Sequence, residues 1–128
     1  MRYENQEDMV LDHESGRIWQ ADFAGPMTWN EAMEYPATLG TEWWLPTAHE
    51  LFGTVDLSRC EPASTFPGMP SQGFWSSSSY ADNSSFAWYV YFADGYIGHG
   101  HCAGVYYVRC VRVRGWRKGW NKRKSSCE

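Results

Sequence analysis

The run Phe86-Ala87-Trp88-Tyr89-Val90-Tyr91-Phe92 constrains this chain more than any other segment. Its period of two is that of a strand, with Trp88, Val90 and Phe92 on one face and Tyr89, Tyr91 and the following Ala93 on the other. Asp94-Gly95 then supplies a strong hairpin turn. Tyr106 to Val113 reads as a further strand, apolar on both faces apart from Arg109 and Arg112, and therefore central in its sheet. From Gly73 onward the pattern is strand and turn throughout.

The first half reads differently. Val10 and Leu11 begin a strand, Asp12 to Gly16 a turn, and Arg17 to Gln20 a second strand, which predicts a hairpin at the domain's edge. Thr28-Trp29-Asn30-Glu31 and Thr47-Ala48-His49-Glu50 each fit a capping box, in which the threonine hydroxyl and the glutamate satisfy one another's backbone N–H groups. The first predicts a helix with Trp29, Ala32, Met33 and Leu39 on its apolar face, kinked or ended by Pro36. The second predicts a short helix through Leu51 and Phe52, stopped at Gly53. Residues 57–73, with Pro62, Pro67, Gly68 and Pro70, read as loop. The class is α+β, with two short helices in the N-terminal half and a β-rich C-terminal half.

The chain has 128 residues, 43% of them apolar, which suits one packed domain and excludes disorder. Its apolar runs are too short for a membrane-spanning helix. Met1 to Asp8 is polar and acidic and does not read as a secretory signal, so the compartment stays open, with attachment to a virion or to a surface through a partner as options. The net charge of −4 is unevenly spread: residues 1–62 carry −9, residues 63–111 carry −1, and residues 112–128 carry +6. This suggests a single domain over 1–113 followed by a basic tail, 114–128. A basic tail could touch an anionic surface, but one short segment more often docks on its own acidic domain, and no nucleic-acid partner is expected. Cys60, Cys102, Cys110 and Cys127 show no metal-type spacing; three pairings are open to them, their spread is equally compatible with free thiols, and no disulfide is assigned.

One absence is as informative as any motif. The chain holds 3 Lys, 9 Glu, 3 Gln and 5 Met, and none lies in residues 73–117; at the density of the remaining chain about 11 would. Low β-propensity accounts for part of the Lys and Glu depletion and poorly for Met and Gln. Within 76–106 the only Trp is Trp88. Lys, Glu, Gln, Met and Trp all require a purine in the third codon position, so a stretch of pyrimidine-ending codons encodes none of them.

The segments MVLDHESGRIWQ, TWNEAMEY, EWWLPTAHEL, FWSSS, AWYVYFADGYI and YVRCVR resemble, in that order and over about residues 9–113, the Lcl C-terminal domain family of collagen-like adhesins. The resemblance implies a C-type-lectin-like fold. Trp44 stands where the family usually has Arg. With the codon bias, residues 75–112 also resemble the variable region of proteins diversified by diversity-generating retroelements, which randomise template adenines and often do so on this fold. That resemblance divides the region in two. The framework would be Trp75, Ser76, Ala87, Trp88, Val90, Phe92, Gly95, Ile97 and Tyr107 to Arg112. The diversified, ligand-binding positions would be Tyr80, Ala81, Asp82, Asn83, Ser84, Ser85, Tyr89, Tyr91, Ala93, Tyr96, Gly98, His99, Gly100, His101, Ala103, Gly104, Val105 and Tyr106; Asp94 fits either set. Tyrosines give large contact area at low entropy cost, and Ser, Gly and Asn give adaptable hydrogen bonds.

The expected function is a non-enzymatic display domain that binds a protein or glycan on a cell or virion without a cofactor. One alternative is an invariant adhesin of the same family that binds sulfated glycans through the basic 112–124 segment. A more distant one is a metal-dependent enzyme using His99, His101 and Cys102, three ligand types in a weak spacing. The calcium motifs of sugar-binding C-type lectins are missing, since Glu61-Pro62 continues with Ala63. Ser76 to Ser79, His49 and Asp56 supply triad residue types, but no nucleophile elbow surrounds the serines.

Overall fold

The polypeptide enters through three short strands, β1 (Tyr3–Gln6), β2 (Met9–Asp12) and β3 (Arg17–Gln20), in a computed structural model that describes residues 2–113. The basic tail 114–128, with Cys127, lies outside the described residues. β2 and β3 form the expected hairpin, with Val10 opposite Trp19 and Leu11 opposite Ile18. The hairpin is not at an edge: β1 pairs with β2 and β9 (Val111–Val113) with β3, giving a four-stranded sheet ordered β1-β2-β3-β9. The buried Asp12 carboxylate ties its corner down. It accepts from Arg2 Nε at 2.9 Å and Nη2 at 3.0 Å, while Arg2 also donates to the Gly53 carbonyl. Burial pushes the Asp12 carboxyl up, but the bonds from Arg2 and Ser15 outweigh it and hold the group below the usual carboxylate range.

β4 (Ala24–Met27) leads into helix α1 (Trp29–Glu34), and helix α2 (Ala48–Phe52) follows a loop. Both capping boxes form. Thr28 Oγ1 accepts from the Glu31 N–H and Thr47 Oγ1 from the Glu50 N–H, and each glutamate accepts from its threonine's N–H in return. α1 gives way at Tyr35 to a 3-10 turn, Tyr35–Thr38, with Pro36 in its first positions, where a missing N–H costs least. The helix is shorter than the apolar pattern implies. Ala32 is buried, whereas Met33 and Leu39 are exposed. Gly53 ends α2 in the ordinary right-handed region.

β5 (Gly73–Ser79), β6 (Phe86–Tyr91), β7 (Tyr96–His101) and β8 (Tyr106–Val108) join β4 in a five-stranded sheet ordered β4-β8-β5-β6-β7, in which β5 and β8 run parallel. The expected single strand from Tyr106 to Val113 is in fact two strands in two sheets. β8 is interior to the larger sheet, and β9 lies at the end of the smaller one. The crossing is at Arg109-Cys110. There the Arg109 guanidinium is 1% exposed and donates to the Gln20 and Ala21 carbonyls at 2.8 and 2.7 Å. Gln20 Oε1 accepts from the Cys110 N–H, and the Gln20 N–H donates to the Cys110 carbonyl. Burial pushes the Arg109 pKa down to about 10, against the pull of Asp22, which leaves it charged at neutral pH. Trp44 bridges by backbone to Val111 and packs on the main core.

Two apolar clusters hold this together. Val10, Trp19, Leu51, Phe66, Phe74, Val90, Phe92 and Val111 form the first, drawn from both sheets and α2. Ala32, Leu45, Trp75, Ala87, Val108 and Cys110 form the second, joining α1 to the opposite face of the larger sheet. Cys60, Cys102 and Cys110 are free thiols, and burial pushes the Cys110 thiol up to about 12.

Candidate binding surface

The β6–β7 hairpin positions most of the candidate residues. Gly95 adopts φ +83°, the left-handed region that glycine enters without cost, and its N–H donates to the Tyr91 carbonyl. The turn therefore occupies Phe92 to Gly95 and puts Tyr91 opposite Tyr96. That register decides everything further along: Tyr89 faces Gly98, Ala87 faces Gly100, and Trp88 faces His99.

Directly paired residues share a face. One face of the hairpin thus presents Tyr89, Tyr91, Tyr96, Gly98 and Gly100, joined by Tyr106 from β8. Tyr89 and Tyr106 stack with ring centroids 4.4 Å apart at 20°, and Trp75 meets Tyr106 edge-on at 4.8 Å from below. Tyr96 lies 6.4 Å from Tyr89. The glycines are the floor of this platform. A Cβ on Gly98 would lie 2.5 Å from the Tyr96 ring, and one on Gly100 would lie 3.2 Å from Tyr106. Burial, then a hydrogen bond to Tyr106, pushes the Tyr89 phenol up to about 12. Tyr91 is 39% and Tyr96 57% exposed, whereas Tyr89 and Tyr106 are half-buried against the second cluster.

The other candidates are on the opposite face or in the turns. His99 stacks on Tyr80 at 4.1 Å, with Trp88 and Phe86 edge-on to His99. His101 Nδ1 accepts from the Ala103 N–H. The turns 80–85 and 102–105 meet where the Cys102 N–H donates to the Ser85 carbonyl, and the Cys102 carbonyl accepts from the Trp29 N–H at the start of α1. A polar groove of about 470 Å³ runs between them, lined by Thr28, Trp29, Asn30, Ser84, Ser85, His101 and Ala103.

Exposure varies across the two sets that the resemblance implies. Of the diversified positions, Ala81, Asp82, Asn83, Ser84, Ser85, Tyr91, Tyr96, His99, His101, Ala103, Gly104 and Val105 are exposed; Tyr80, Tyr89, Ala93, Gly100 and Tyr106 are half-buried; Gly98 is buried. No framework position is exposed. Two details differ from the strand alternation. The candidate positions occupy two opposite faces and the loop end of the hairpin, not one patch. Trp88 is half-buried instead of being core, and walls an apolar groove of about 430 Å³ with Ala48, His49, Phe52, Ser78 and Ile97. Trp88 and His49, named from the sequence in other roles, line the apolar groove, and the lining of the polar groove by Trp29 and Asn30 of α1 was not foreseen. Alternation places a residue on a face without saying how far along the strand the covering layer extends. The glycine floor, by contrast, was within reach, because a four-residue turn ending at Gly95 sets Tyr89 opposite Gly98.

Among the described residues every arginine has a partner. Arg2 pairs with Asp12, Arg17 with Glu50, Arg59 with Asp56, and Arg112 with Glu42, while Arg109 is spent on carbonyls. Among the same residues no three His, Cys, Asp or Glu side chains gather as a metal site. No helix there is long and apolar enough to cross a membrane.

No curated protein matches the chain. The Lcl C-terminal domain family matches residues 8–112, from β2 to the middle of β9. The chain therefore belongs to the Lcl C-terminal domain family, a family of adhesin-like domains.

Proposed function

We propose that this is a non-enzymatic, ligand-binding display domain on a C-type-lectin-like scaffold, and that its surface over residues 80–106 was written by a diversity-generating retroelement. The observation that carries the reading is how exposure falls across the two sets of residues. The resemblance separates framework from diversified positions, and exposure leans the same way: every exposed residue of the two sets is a diversified one, Gly98 is the one buried diversified residue, and half-buried residues occur in both. Buried residues pack at near-crystalline density and resist change, whereas exposed ones vary at little cost. A scaffold that must carry many surfaces needs this separation. The ligand is a protein or glycan on another cell or on a virion, bound reversibly and without a cofactor.

The decisive experiment is to sequence the encoding DNA and its flanks. The expected result is a near-duplicate of codons 75–112 that differs only at adenines, beside a reverse transcriptase gene. Flanks with neither would overturn the retroelement reading. Family membership favours a second reading, an invariant adhesin that takes sulfated glycans. Since each described arginine is engaged, that activity would rest on the 114–128 bases. Elution from heparin at high salt, abolished by replacing those bases with glutamine, would support it.

A further inference from the structure

The platform of Tyr89, Tyr91, Tyr96 and Tyr106 says something about the charge of what it binds. We propose that it is a recognition site for cationic side chains, arginine above all, on a protein partner; this rests on the reading of the surface as a binding surface. Three observations converge on it. The base of the platform is pre-arranged, since Tyr89 stacks on Tyr106 at 4.4 Å above Gly100, and Gly98 leaves the room that the Tyr96 ring occupies. Aromatic faces carry negative potential and attract a guanidinium laid over them. The rings least covered by the protein, Tyr91 and Tyr96, face each other across the hairpin and leave such a face open.

The charge around the rings points the same way. Residues 73–108 contain no Lys or Arg, and the formal charges there are Asp82 and Asp94. Asp94 sits in the turn that ends the Tyr91–Tyr96 pair and accepts from the Tyr96 N–H. Residues 1–111 together carry −10. With Asp94 beside the rings and no base among residues 73–108, the local charge favours cations over sulfates and carboxylates. Arginine fits better than lysine because its planar, weakly hydrated guanidinium stacks on a ring and still donates outward to a carboxylate such as Asp94.

The test is an NMR titration of the full chain, with aromatic tyrosine signals observed, against three probes: acetyl-Arg-Arg-Arg-amide, the same peptide with citrulline for arginine, and cellotriose. Citrulline keeps the shape and removes the charge. The arginine peptide is expected to shift the Tyr91 and Tyr96 signals and to bind about two- to five-fold more tightly than the citrulline peptide. Tyr96→Leu, which keeps apolar bulk, is expected to erase that preference while the fold's other signals stay in place. If citrulline peptide or cellotriose shifts the same signals as strongly, the surface binds without charge preference and this inference falls while the binding surface stands. If the arginine peptide binds unchanged to the Tyr96→Leu chain, its site is elsewhere and the inference is overturned. If none of the probes moves the tyrosine signals, the platform is not a binding site and the surface reading falls with it.

Discussion

The two faces of the β6–β7 hairpin are built from adjacent residues of the same strands, yet they obey different rules. On the inner face Val90 and Phe92 are fully buried, and Phe92 meets Phe74 edge-on at 5.5 Å within the main cluster. On the outer face Tyr89, Tyr96 and Tyr106 lie over glycines, with Tyr89 and Tyr106 half-buried at the base and Tyr96 and Tyr91 exposed. The inner face specifies the fold by filling space. The outer face specifies a shape by leaving space empty, since the rings lie where they do because Gly98 and Gly100 have no side chain. Freedom to vary is therefore conditional. Gly98 and Gly100 stand among the positions proposed to be diversified, but they tolerate a side chain only if a tyrosine above them moves.

This contrast can be broken by substitution. Phe92→Ala should have the largest effect, about 3–5 kcal/mol of lost stability by denaturant unfolding, as for other large core deletions. Trp88→Ala should cost less, roughly 1–2 kcal/mol, because one side of the ring already meets water in the groove beside α2. Equal losses would mean that the groove closes in solution. Gly98→Ala should change stability by less than about 1 kcal/mol, because the clash is with the far end of the Tyr96 side chain, which can swing away. It should nonetheless move the Tyr96 and Tyr89 aromatic NMR signals. A large loss of stability there would show that the platform is part of the core.

Tyr91→Ala should shift stability by no more than about 0.5 kcal/mol while weakening capture of the natural ligand, measured by surface binding. Parallel losses of both would place Tyr91 in the framework. A last effect is one of pH. An unfolded tyrosine loses its proton at its ordinary value of 10.0, whereas folded Tyr89 keeps it to about 12. Between those values the unfolded chain holds fewer protons. The contribution is therefore complete below pH 10 and is lost as pH rises toward 12. Denaturant midpoints measured just below and within that window should fall more for the natural chain than for Tyr89→Phe.

Much of the architecture was legible in local pattern. The capping boxes at Thr28 and Thr47, the hairpin of β2 and β3 and the turn at Asp94-Gly95 each rest on residues within a few positions of one another, where spacing alone carries the signal. The framework and diversified sets of the proposed reading also rest on the string alone, because resemblance and alternation are its properties. Only the tertiary structure decided that β8 and β9 are separate strands in separate sheets. Nothing in YYVRCVRV marks the crossing, and what breaks the strand is Arg109 reaching carbonyls 88 and 89 positions away. It likewise decided that Trp88 walls a groove and that the candidate residues split between two faces. A strand's period says which side each residue takes. How far the neighbouring layer covers that side depends on where α1 and α2 come to rest, and long-range packing sets that.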